Sequence, residues 1–93
     1  MPTLLLRVDA TWSLPGLGLL ALPAGPTPHL TRHSLHTSLA VEAVLPGGVR
    51  IPATATVEEV TLTAADFPVR GLLLDFGMAI ELVPGAEIWL SQA

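Results

Sequence analysis

The stretch Leu4-Leu5-Leu6-Arg7-Val8-Asp9-Ala10-Thr11-Trp12-Ser13-Leu14-Pro15-Gly16-Leu17 decides the fold class. Leu4, Leu6, Val8, Ala10, Trp12 and Leu14 occupy its even positions, and Arg7, Asp9, Thr11 and Ser13 lie between them. Side chains on a strand point alternately to opposite faces, so this run predicts a half-buried strand with the even set inward. It stops at Pro15-Gly16. Proline fixes φ near about −65° and glycine accepts positive φ, which suits the two central positions of a type II turn. Leu17 to Leu22 then reads as the returning strand.

The same corner recurs at Pro46-Gly47 and Pro84-Gly85. Gly16, Gly47 and Gly85 are therefore predicted to take positive φ. Between the corners, Ser38 to Leu45 alternates with Leu39, Val41, Ala43 and Leu45 on one side. Ala53 to Thr63 alternates with a phase change. Ala53, Ala55 and Val57 are odd, Val60 and Leu62 even, and the switch at Glu58-Glu59 predicts a β-bulge. Thr63-Ala64-Ala65-Asp66 reads as one helical turn. Arg70, Leu72, Leu74 and Phe76 alternate next, and a hairpin around Asp75 to Gly77 leads to Met78, Ile80 and Leu82. Ala86 to Leu90 is the last strand.

Short strands spaced by turn signals predict an all-β fold, a small antiparallel β-barrel of six to seven strands. Residues 1–93 form one domain. The inward set includes Leu6, Val8, Trp12, Val60, Leu72, Leu74, Ile80 and Ile88. Leu5, Leu19, Leu73 and Trp89 are left pointing outward. The segment 23–37 carries Pro23, Pro26 and Pro28 and reads as a long loop, a kind of loop that often carries function.

Composition narrows the function classes. Of 93 residues, 51% are hydrophobic and only 13% charged, which excludes disorder. Without cysteine there is no disulfide framework. Lysine is absent, and Arg7, Arg32, Arg50 and Arg70 are scattered along a chain of net charge −4. Phosphate binding calls for clustered basic residues, so independent nucleic-acid binding is not expected. No apolar run is long enough for a membrane span, since Pro and Gly cut Leu14 to Ala24, and Asp75, Glu81 and Glu87 interrupt Gly71 to Leu90. The N-terminus lacks the basic segment of a signal peptide, and a cytoplasmic location is expected.

The order of elements resembles the β-barrel that forms domain 2 of the translational GTPases related to elongation factor Tu. In Val8-Asp9-Ala10-Thr11-Trp12-Ser13-Leu14-Pro15-Gly16-Leu17-Gly18, Trp12 takes the family's aromatic place and Leu14 its aliphatic one. Gly16 and Gly18 match the glycines of its Gly-Arg-Gly turn, with Leu17 in place of the arginine. Ala55-Thr56-Val57-Glu58-Glu59-Val60 resembles a later strand with its acidic turn, and Leu82-Val83-Pro84-Gly85-Ala86-Glu87-Ile88 the closing segment. The resemblance implies a barrel that works by contact, with the ribosome or tRNA as partners. There is no phosphate loop, so the family's GTP hydrolysis is not implied. The leucine at position 17 and the acidic balance leave no binding residue to carry over.

Three candidate chemistries remain. His29, His33 and His36, at i, i+4 and i+7, would share a helix face and could hold zinc, giving a small metal-binding protein or enzyme. If the segment is extended, His36 points away from the other two. The plainer reading is a solvated loop, with no metal and no cofactor. Catalysis by a nucleophile finds no support. Ser13, Ser34, Ser38 and Ser91 lie in no nucleophile elbow, and adjacent Glu58 and Glu59 face opposite ways on a strand. Trp89, Leu5, Leu19 and Leu73 as an outer apolar surface point to a protein partner or to self-association. The reading is a non-catalytic binding module acting through protein or ribonucleoprotein contacts, with a structural homo-oligomer as a further alternative.

Overall fold

A computed structural model describes residues 2–61 and 68–91. Six strands appear in it: β1 (Thr3–Leu14), β2 (Gly18–Pro23), β3 (Ser38–Val44), β4 (Arg50–Val60), β5 (Val69–Asp75) and β6 (Glu87–Leu90). They close into a barrel in the order β1-β2-β5-β4-β3-β6, every neighbouring pair antiparallel. Closure removes the free edge that an open sheet would offer to another chain. The predicted all-β barrel is what forms. The helical turn expected at 63–66 and the inward place of Leu62 lie outside the described residues.

The inward set follows the register. Ala21 pairs with Leu72 and Leu72 with Val57; Ala43 pairs with Ile88 and Ile88 with Leu6. Residues directly opposite in an antiparallel pair share a face, so these rows line the interior. Leu6, Ala21, Ala43, Val57, Leu72 and Ile88 are all buried. Pro52 fits because β4 has β3 on one side there and no partner on the other, where a missing N–H is tolerated.

β1 departs from its simple alternation. The register skips Leu5 between Leu4 and Leu6 against β6, and skips Asp9 between Val8 and Ala10 against β2. Each bulge reverses the phase. Leu5, expected outward, is therefore buried at 1% exposure beside Leu6, and Trp12, expected inward, stands outside at 49%. The bulge expected at Glu58-Glu59 is absent, because Glu58 pairs with Gly71 and Glu59 with Arg70 without a shift. Val60 lies near the barrel's end and is only half-buried.

The turns are mostly as expected. Leu17 donates to the Leu14 carbonyl at 2.9 Å with Gly16 at φ 80°, and Ala86 to that of Val83 at 3.2 Å with Gly85 at φ 97°. At the middle corner the positive φ falls on Gly48 (91°) and not on Gly47. Gly48 bonds back to Leu45, and Leu45 to Val49, so the loop is a turn followed by a left-handed residue that matches the strands' twist. The strand expected at Met78 to Leu82 does not form, and Ile80 is only half-buried. Residues 76–86 instead cross one end of the barrel as an irregular strap. Its Leu82 and Ala86 are buried, and two backbone bonds tie it to β1: Gly85 N–H donates to the Val8 carbonyl and Val8 N–H to that of Ala86, both at 2.8 Å. The 23–37 connection covers the opposite end. There Leu30 is fully buried in the core, on a turn closed by Thr31 N–H to Thr27 O at 3.0 Å.

Candidate contact site at the barrel mouth

The four residues expected to form an outer surface do not come together. Leu5 is in the core. Leu19 faces inward with Ser13 and Leu74, its register partners. Leu73 lies outside on β5, between Leu20 and Thr56. Trp89 lies outside on β6 between Leu4 and Glu42, three strands away around a six-strand barrel and so on its other side. Trp89 is half-buried, and its indole N–H donates to Glu87 Oε1 at 3.2 Å. The Arg7 guanidinium, 2.7 Å from Glu87 Oε2, holds the Glu87 carboxyl below its usual range against the opposing effect of burial, helped by the Trp89 bond. Arg50 pairs with Glu42 at 2.7 Å on the same face.

The histidines spread along the 23–37 loop. His29 is exposed, the His33 carbonyl accepts a bond from Arg70 at 2.9 Å, and His36 Nδ1 lies 3.2 Å from Glu58 Oε1. His36 has φ 68°, so the segment is neither a helix nor an extended strand there. Among the described residues no three His, Asp or Glu side chains are close enough to hold a metal ion.

A different site emerges where the β1–β2 turn meets the strap. An open cavity of about 670 Å³ lies there, walled by Leu14, Leu19, Leu74, Phe76, Ile80 and Leu82. Thr11, Ser13, Asp75 and Glu81 are among its polar lining residues. Among the described residues no arginine or histidine lines it. Large apolar side chains stand exposed around it: Met78 at 71%, Val83 at 51%, and Leu17 at 65% on the turn whose neighbours form one wall. Oxygen Oδ1 of Asp75 accepts the Gly77 N–H at 2.9 Å, which sets the bend that presents Met78.

Gly18 builds the wall. With φ 132° it lets β2 start so close to β5 that a β-carbon would collide with the Leu74 carbonyl oxygen. Strand alternation could not reveal this site, because its exposed members belong to turns. The available signal was different: Leu17, Met78 and Val83 are apolar residues placed directly beside Pro-Gly or Gly corners, where polar side chains are usual.

No protein-family model, curated protein or solved structure matches this chain. The described residues contain no helix long and apolar enough to cross a membrane.

Proposed function

We propose that this barrel is a non-catalytic binding module whose contact surface is the mouth formed by the β1–β2 turn and the strap. The observation that carries this reading is the placement of Leu17, Met78 and Val83. Three large apolar side chains are more than half exposed around one cavity. A pocket of a few hundred Å³, apolar with a few converging polar groups, is the usual form of a binding site. Apolar groups held in water beside it gain free energy when a partner covers them. The resemblance to a translation-factor domain 2 supports the same reading, as a barrel that works by contact. Trp89 stands apart from this surface, at the far end of β1 from Leu14.

Site-specific photocrosslinking in the native cell tests the proposal. A crosslinker at Met78 and another at Leu17 should capture the same protein, and one at exposed His29, on the 23–37 connection at the opposite end, should not. Capture of the same product from all three positions, or only of a second copy of this chain, would count against a heterologous partner at the mouth.

A further inference from the structure

We infer that the occupant of this mouth is a protein segment that sets lysine or arginine among apolar side chains, an inference that rests on the contact-site reading above. The carboxylates carry it. Elsewhere on the barrel Arg7 pairs with Glu87, Arg50 with Glu42, and Arg70 lies 3.6 Å from Glu59. Asp9, Asp75 and Glu81 have no such cation among the described residues, and of these Asp75 and Glu81 line the cavity beside exposed Met78 and Val83. The mouth therefore combines apolar surface with uncompensated negative charge.

Long basic side chains match that combination. Their methylene stems lie along apolar surface and carry the charged head to a carboxylate at its edge. Other occupants fit worse. A second copy docking mouth to mouth would bring like charges together, because a two-fold contact pairs the same patch with itself. Nucleic acid and anionic lipid surfaces need basic groups that this cavity lacks.

Calorimetric titration of the full chain with three synthetic peptides tests the inference. The peptides share the frame Leu-X-Val-X-Phe-X-Leu, with X as lysine, glutamine or glutamate. At low salt the lysine peptide should bind about tenfold tighter than the glutamine peptide, as expected for two partly exposed ion pairs. The glutamate peptide should bind weakest. Raising salt to about 0.5 M should shrink the preference, because exposed charges are screened. The double variant Asp75→Asn, Glu81→Gln should abolish it without changing affinity for the glutamine peptide. Asparagine keeps the oxygen that accepts the Gly77 N–H.

Equal binding of the three peptides, or a preference that survives the double variant, overturns the inference and leaves the mouth as a contact site. The double variant Met78→Ser, Val83→Ser separates the two readings. It changes only exposed side chains, and it should weaken all three peptides together. If it changes none of them, or if no peptide binds the wild type, both readings fail.

Discussion

Replacing Leu30 with alanine should destabilise the barrel by about 3 kcal/mol. Leu30 is fully buried, so the substitution removes three carbons from the core; at about 0.8 kcal/mol per methylene this forfeits roughly 2.4 kcal/mol. A surviving cavity of about 40 Å³ would add about 1 kcal/mol, at about 24 cal/mol per Å³. A chain of 93 residues has a total stability of about 5–14 kcal/mol, so the loss is a large share of it. Urea denaturation followed by tryptophan fluorescence reads the change. With a slope of about 1 kcal/mol per molar, the midpoint should fall by about 3 M. Leu35, in the same connection but 37% exposed, is the control, and Leu35→Ala should stay within about 0.5 kcal/mol of wild type. Equal effects of the two substitutions would refute the assignment of Leu30 as the plug of this barrel end.

Gly71→Ala should cost about 1–3 kcal/mol, because its β-carbon would lie 2.8 Å from the Ala21 carbonyl oxygen and force β2 from β5; Gly25→Ala, with open space around it, should be near neutral in the same assay. The Arg7–Glu87 pair sets a pH dependence. A lowered folded-state pKa contributes stability that is present above the unfolded glutamate value of about 4.3 and is lost as pH falls through the folded value. Arg7→Ala should therefore lower the stability slightly at pH 7, by less than about 1 kcal/mol for so exposed a pair, and the gap to wild type should close in strong acid. Elemental analysis of purified protein should find no stoichiometric zinc, and about one zinc per chain, lost on His33→Ala, would promote the histidine tract to a metal site.

Much of the barrel was legible because local rules and global packing agree. Arg70 to Leu74 keeps one phase along β5, with Leu72 and Leu74 in the core as its alternation requires. The corners at Gly16 and Gly85 take the backbone that Pro-Gly dictates. β1 misled because its apolar residues continue at even positions through two bulges. A bulge has no side-chain signature of its own, and only pairing with β2 and β6 reveals that Leu5 and Asp9 are the extra residues. The register also explains why Leu20 and Leu22 are buried on the outer side. Leu20 pairs with Trp12 and Leu73, and Leu22 packs against the bare backbone of Gly71. The strap was misread as a strand because Met78, Ile80 and Leu82 alternate, whereas Leu82 turns into the core and Met78 stays in water. The mouth itself depends on which turns meet in space, which no local pattern encodes.

Amide chemical-shift mapping tests the mouth most directly. Isotope-labelled protein is titrated with the lysine-bearing peptide, and every shifted amide is placed on the barrel. The account predicts shifts concentrated in residues 14–19 and 74–84, with the 23–37 connection and β6 unchanged. Shifts centred on His29 and Trp89 at the other end, or spread evenly over the barrel, would contradict it.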